Sequence, residues 1–196
     1  AKVVKANTDE LNEVDTKRAR LVKASRIHQE QDEGNFNKAQ QYLDQFQTGY
    51  NIDTELSTDE ALVVVRPDNK VEVGFRGTNP KKLDDLITDA RIAAGIEEGS
   101  QQFQDADQLV KDIRVKYGEY PEHSSGHSLG GAKSMTLGQK YNIETTNFNP
   151  FIGRNLYKTS AETTTPAKQT IVRTTEDPVS LGLAFKPGLG LSLIHI

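Results

Sequence analysis

The sequence predicts an α/β domain, a mostly parallel central sheet flanked by helices, and three observations carry that prediction. Residues 126–131 read Gly-His-Ser-Leu-Gly-Gly, so Gly126-x-Ser128-x-Gly130 has the pattern of an elbow at which a strand turns sharply into a helix. About fifty residues upstream, a short apolar run, Val71–Phe75, leads straight into Arg76-Gly77-Thr78. Downstream, a β-rich run through Ile171 and Val172 ends on Asp177-Pro178.

The elements follow in chain order. Residues 7–33 are dense in charges of both signs. Asn7 followed three residues later by Glu10 resembles a capping box, and Leu11, Val14, Leu21, Val22 and Ile27 form a sparse helical stripe. This predicts an amphipathic helix packed by one narrow face, with His28 solvated; the alternative is an arm that binds a partner or forms a coiled coil. A second helix is expected around 36–46, ending near Gln47-Thr48-Gly49. Residues 61–65 and 71–75 read as strands joined by the turn Arg66-Pro67-Asp68-Asn69-Lys70. Residues 81–94 and 100–117 have helical periodicity, through Leu83, Leu86 and Ile87 in the first and Phe103, Ala106, Leu109, Val110 and Ile113 in the second.

The segment before the elbow, 118–125, should be a buried strand, yet it is polar and contains Pro121. Residues 132–141 make a plausible helix after it. Residues 143–148 and 168–173 read as further strands, with a loop or short helix over 153–167. The organisation predicted is charged helices over 1–48 packed on the domain, an α/β domain over 49–190, and a foreign tail over 191–196.

Composition sets bounds on this picture. A chain of 196 residues suffices for one domain with a real core, although its 35 % hydrophobic content implies a small core and a heavily solvated surface. A net charge of −4 argues against nucleic acid as a partner. There is no cysteine, so neither a disulfide framework nor thiol chemistry is expected. No apolar run approaches the ~20 residues needed to cross a bilayer, and no basic-then-apolar signal peptide opens the chain.

Chemistry concentrates at the elbow. A turn this tight brings backbone and side chains together, so Gly126 and Gly130 stand where a Cβ would be crowded. The turn would place Ser128 at a helix N-terminus, where free N–H groups and the helix dipole favour developing negative charge. Ser128 is the candidate nucleophile. A serine hydroxyl is a poor nucleophile at neutral pH and needs an adjacent base, normally a histidine oriented by a carboxylate.

Five segments together resemble the class 3, fungal-lipase-like branch of the α/β-hydrolases: FRGT at 75–78, LDDLITDA at 83–90, GHSLGGA at 126–132, FNPF at 148–151 and EDPVS at 176–180. They fall in the family's order and span roughly residues 60–180. The resemblance implies a serine carboxylic-ester hydrolase of the lipase, esterase or phospholipase type that works through an acyl-enzyme on Ser128. It implies Asp177 as the triad carboxylate, where position alone would give a turn aspartate before Pro178. It also implies an oxyanion hole from the backbone N–H groups of Leu129 and Thr78, no cofactor, no metal, and a lipid or other ester substrate met in transient contact with a membrane surface. Arg76 reads as a structural ion-pair partner. The lid of the family should lie in 79–95, which here carries Lys81, Lys82, Asp84, Asp85, Asp89 and Arg91 and so favours soluble or short-chain esters or phospholipid headgroups. Secreted fungal lipases usually carry disulfides, so this cysteine-free chain fits a cytoplasmic or virion-associated setting better.

The base is harder to place. The four histidines are His28, His123, His127 and His195. His127 is too close in sequence to turn back onto Ser128, and His123 with His127 lacks the helix and the glutamate of a metal pair. His195 is the remaining in-chain candidate, but Leu191-Ser192-Leu193-Ile194-His195-Ile196 reads as the in-frame translation of a transposase-end adapter used in preparing sequencing libraries. The expectation is a C-terminally truncated environmental gene fragment whose native histidine lies downstream. The rival expectation is a catalytically incomplete hydrolase-like fold serving as a structural or attachment module, for instance of a virus particle. Re-reading the gene tests the adapter reading: the expected result is a natural coding sequence that diverges after about residue 190, and a natural gene that encodes LSLIHI with its own stop codon would overturn it.

Overall fold

A computed structural model describes residues 6–7, 13–31, 34–77, 101–150, 167–173 and 191–195. The predicted helix over 81–94 and the loop or short helix over 153–167 lie outside the described residues, except Ala167. Four helices appear among these residues: α1 (Glu13–Gln31), α2 (Asn37–Phe46), α3 (Gln101–Tyr117) and α4 (Leu129–Tyr141). The strands are β1 (Ala6–Asn7), β2 (Asn51–Ile52), β3 (Ala61–Val65), β4 (Val71–Phe75), β5 (His123–His127), β6 (Glu144–Phe148), β7 (Gln169–Arg173) and β8 (Leu191–His195).

They form one sheet in the order β1-β8-β7-β6-β5-β4-β3-β2. The pairings β2–β3 and β3–β4 are antiparallel, and all the others are parallel. The sheet is therefore mostly parallel, as expected. The fold is α/β.

The β3–β4 hairpin forms as its composition predicts. Arg66 and Lys70 close the turn through an N–H···O bond of 2.8 Å, and Asn69 takes the left-handed conformation at φ 62° that asparagine tolerates. Side chains alternate across the sheet. Ala61, Val63, Val71, Val73 and Phe75 pack on Phe103, Ala106, Leu109, Val110 and Ile113 of α3, so every predicted apolar position of that helix is buried. Leu62 and Val64 point the other way, onto Leu21 and Ala24 of α1 and Ala39 and Leu43 of α2. Each fully buried leucine of this kind contributes about 2 kcal/mol of transfer free energy. Helices thus cover both faces.

α1 differs in detail from its predicted stripe. Asn7 pairs with β8 rather than capping a helix, and the helix begins at Glu13. Val14 is 55 % exposed, while Asp15, Leu21, Ala24, Ser25 and His28 are buried. His28 is not solvated. Its ring stacks on Phe36 with centroids 3.8 Å apart, and Nε2 lies 3.3 Å from Asp59 Oδ1.

Of the polar segment before the elbow, only its end forms a buried strand, β5, while 118–122 with Pro121 stay outside it, and the polarity of the strand is absorbed by neighbouring elements. Ser124 Oγ and Ser134 Oγ of α4 are 2.6 Å apart, and His123 Nε2 is 3.1 Å from Thr146 Oγ1. In register beside His123 lies Glu72, fully buried and bonded to both Arg18 of α1 and Arg66 of the hairpin turn. Burial raises the Glu72 carboxyl above its ordinary range, although the two guanidinium groups pull against that. Burial, and then Arg18 and Arg66, push His123 well below 6.5, so it is neutral in the fold.

Leu191–His195, the segment suspected of foreign origin, lies between β7 and β1. Main-chain pairing to a sheet edge asks only for an extended segment.

The buried His123 predicts a pH dependence. Its folded pKa is depressed, so the unfolded chain binds the extra proton first. Its contribution to stability is intact above pH 6.5 and is lost as pH falls below that value, at up to about 1.4 kcal/mol per pH unit. Glu72 acts in the opposite sense: its raised folded pKa favours the fold at low pH, and that contribution fades as pH rises above 4.5. Urea unfolding between pH 7 and 5 should show falling stability, and His123→Gln should flatten the slope whatever it does to the absolute value. An unchanged slope in the variant would count against His123 as the source.

Candidate active site

The parallel strands set up one functional edge. β4, β5, β6 and β7 all finish on the same side of the sheet, with Phe75 opposite Gly126, His127 opposite Phe148 and Phe148 opposite Val172. β5 passes into α4 through a single residue, Ser128, and the expected strand–turn–helix arrangement is present. Ser128 has φ 53° and ψ −120°, a backbone conformation that a residue with a side chain rarely adopts. The surroundings enforce it. Ser128 N–H donates to the Phe148 carbonyl at 3.2 Å, and its own carbonyl accepts from Ala132 N–H at 3.1 Å, the first turn of α4.

Two glycines make this turn sterically feasible. A Cβ at Gly126 would lie on the Gly130 carbonyl and 2.5 Å from the Gly131 nitrogen. A Cβ at Gly130 would lie on the carbonyls of Phe75 and Arg76. The end of β4 therefore touches the first turn of α4 backbone to backbone. Gly77 continues the contact, since a Cβ there would come within 2.5 Å of the His127 carbonyl oxygen. The FRG segment and the elbow, read from the sequence as separate motifs, meet in space.

Arg76 is held as a structural partner. Its Nη1 donates to the Asp59 carbonyl at 2.9 Å, its Nε to the Gly77 carbonyl at 3.2 Å, and its Nη2 lies 3.9 Å from Glu60 Oε1. The other oxygen of Glu60 pairs with Lys133 of α4, a lysine only 4 % exposed. Glu60 thus ties the FRG segment to the helix that begins at the serine. Neither Lys133 nor Glu60 belongs to a motif legible in the sequence. The available signal was a lysine one turn into a helix whose neighbours, Ala132, Met135 and Leu137, are all buried; nothing comparable marked Glu60.

The arrangement offers a nearly buried hydroxyl, 5 % exposed, at the N-terminus of a helix whose first N–H groups lack helical acceptors. The Leu129 N–H is among them. Thr78 and Asp177 lie outside the described residues, as does the charged segment expected to form a lid. Among the described residues no side chain bonds Ser128 Oγ. His28 and His123 are buried under the α1 side of the sheet. His127 carries its backbone against Gly77, and its Nδ1 would be 3.1 Å from a Cβ there. His195 ends β8 in register with Arg173, three strand spacings from β5, or about 14 Å. The described residues bring Ser128, Leu129 and Gly77 together. Among the described residues no group of three or more His, Asp or Glu side chains could hold a metal ion, and no helix is long and apolar enough to cross a membrane.

The close approach predicts a steep cost for a single methyl. Gly126→Ala should lose about 3 kcal/mol or more in urea unfolding, because a backbone carbonyl cannot yield as a side chain can. Gly34→Ala, at φ 89° with open space around it, should lose only the left-handed penalty of about 1–2 kcal/mol. Equal losses would mean that the elbow is not tightly packed.

No protein-family model and no curated protein matches the sequence. Among solved structures, lipase II from Rhizopus niveus superposes with a TM-score of 0.51 at 15 % identity, covering 85 % of this chain and 72 % of that one. The likeness establishes a lipase-like α/β-hydrolase fold.

Proposed function

We propose that Ser128 is the nucleophile of a serine carboxylic-ester hydrolase acting on esters of the lipid or phospholipid class. The observation that supports this most is the strained Ser128 backbone, φ 53° and ψ −120°, at a strand–helix junction that only glycines at 126 and 130 permit. A fold under no functional demand would relieve such strain, which costs on the order of 1–3 kcal/mol.

In this reading Ser128 Oγ attacks the ester carbonyl, and a histidine accepts its proton. The tetrahedral oxyanion rests on the N–H groups of Leu129 and Thr78, each worth roughly 3–4 kcal/mol of barrier. The intermediate collapses to an acyl-enzyme and releases the alcohol, which takes up the proton. Water then attacks the acyl group, regenerating Ser128 and releasing the acid. Asp177 orients the histidine and stabilises its charged form. The Glu60–Lys133 and Glu60–Arg76 contacts support the reading, because they hold the segment leading to Thr78 against the helix that carries Leu129.

A second reading, a catalytically incomplete hydrolase-like fold with a structural or attachment role, is favoured by the polar strand His123–His127 that leads into the elbow, where the family resemblance expects an apolar run.

Fluorophosphonate labelling with peptide mass spectrometry separates the two, with circular dichroism to confirm folding. The hydrolase reading expects an adduct on Ser128 that Ser128→Ala abolishes, together with a loss of ester hydrolysis of about 10⁴-fold or more. A folded chain that stays unlabelled at Ser128 would mean that no base activates the serine in this polypeptide; the same assay on a longer chain that supplies a histidine after Asp177 then decides, labelling keeping the hydrolase reading and continued silence overturning it.

A further inference from the structure

The turn over residues 58–60, which leads into β3, is built to be stiff. Thr58 N–H donates to the Ala61 carbonyl at 2.8 Å, and Thr58 Oγ1 accepts from the Glu60 and Ala61 N–H groups, both at 3.2 Å. Three elements are tied to it. Arg76, at the end of β4, donates its backbone N–H to the Glu60 carbonyl at 2.9 Å and its Nη1 to the Asp59 carbonyl at 2.9 Å. Asp59 Oδ1 lies 3.3 Å from His28 Nε2 of α1. The Glu60 carboxylate pairs with Lys133 of α4.

Lys133 is the residue out of place. It is 4 % exposed, among the fully buried side chains of Ala132, Met135 and Leu137. An ion pair taken out of water gains little over a well-packed apolar side chain of similar size, because desolvation offsets the attraction. Stability alone therefore gives no reason for a lysine here. Geometry gives one. Lys133 stands four residues after Leu129, on the same face of α4 and one turn further along. The backbone contact of Gly130 with Phe75 and Arg76 fixes α4 to the end of β4 at one point. A helix held at one point can still pivot about it. The Glu60–Lys133 pair supplies a second point, and two points set the direction in which the first N–H groups of α4 are aimed.

We infer that Lys133 and Glu60 are positioning residues for the proposed reaction: their ion pair holds α4 at the angle at which the Leu129 N–H faces the developing oxyanion. Neither side chain touches the substrate. The inference deepens the reading of Ser128 as a nucleophile and rests on it for its chemical meaning, whereas the hold on α4 can be measured without any reaction.

Hydrogen exchange followed by NMR on the full chain reads that hold. Lys133→Met keeps the apolar stem and removes the charge. The expected result is about tenfold faster exchange, or more, at Ala132 and Arg76, whose N–H groups donate to Ser128 and Glu60, with Ile113 of α3 unchanged. Glu60→Gln keeps an acceptor for Lys133 and should give a smaller rise at the same two amides; it decides alone if Lys133→Met fails to fold. In a chain that takes the fluorophosphonate label, Lys133→Met should lower the maximal labelling rate of Ser128 about tenfold and leave the half-saturating probe concentration as it was. Lys133→Arg, which keeps the charge, should restore most of that rate. Unchanged exchange at both amides, or a rise matched at Ile113, would overturn the inference, and so would a labelling rate that Lys133→Met leaves alone. Absence of label from the unsubstituted chain bears on the Ser128 reading alone, and exchange then decides the role of the pair.

Discussion

The contact between the end of β4 and the start of α4 is the constraint on which the candidate site depends. The carbonyls of Phe75 and Arg76 occupy the space that a Gly130 side chain would need, and Gly130 in turn fills the space of a Gly126 side chain. Three backbone segments are stacked with no side chain between them. That stacking fixes the elbow against β4, holds Ser128 in a conformation it would not choose alone, and points the first N–H groups of α4 toward the edge where four parallel strands end. Glu60 adds a charged tie between the same two elements. Preorganisation of this kind matters chemically because donors already in place need not rearrange as charge develops.

The two faces of the sheet are stabilised differently. Under α3 the packing is apolar and side chains from β3 and β4 dominate. Under α1 the packing is apolar around Leu62 and Val64 and turns polar toward β5, with Glu72 between two arginines and His123 against Thr146. Burying these groups contributes little net stability, because desolvation consumes most of the Coulombic gain. What it contributes is selectivity of position: a one-residue slip of β5 would break the His123–Thr146 and Ser124–Ser134 contacts and leave those buried groups unmatched. Several atoms in this region, including Glu72 Oε2, His123 Nδ1 and Ser125 Oγ, have no partner among the described residues.

Much of the architecture was legible from pattern. The hairpin over 61–75, the apolar face of 101–117 and the strand–turn–helix at Ser128 each announce themselves through local chemistry: turn residues at fixed offsets, a 3.6-residue repeat, glycines two positions either side of a serine. The fold class followed from their order, and the lipase-like architecture agrees with it. What escaped was set by partners distant in sequence. His28 looks solvated in a charged helix, and only Phe36 and Asp59 make it a buried residue. A strand reading His-Ser-Ser-Gly-His looks too polar to bury until Ser134 and Thr146 supply its hydrogen bonds. Lys133 is a charged residue in a buried helix for a reason that lies 73 positions away, at Glu60. Local patterns report on local geometry, and pairings between remote polar side chains leave no periodic trace.

The sheet topology also dictates an order of assembly. Among the described five-residue strands, β3 and β4 are the pair joined by a short turn, so their hairpin can close while the rest of the chain is still being made. Glu72 then waits in water as an ordinary ionised carboxylate, and Arg18, synthesised earlier, is already available to it. Its burial is completed only when β5 arrives, some fifty residues later. Until that moment one edge of β4 stands open, an unpaired row of N–H and C=O groups flanked by Val73 and Phe75. The segment between β4 and β5 is thus a delay as well as a connection, and its length governs how long a growing chain exposes an edge to which other strands can add.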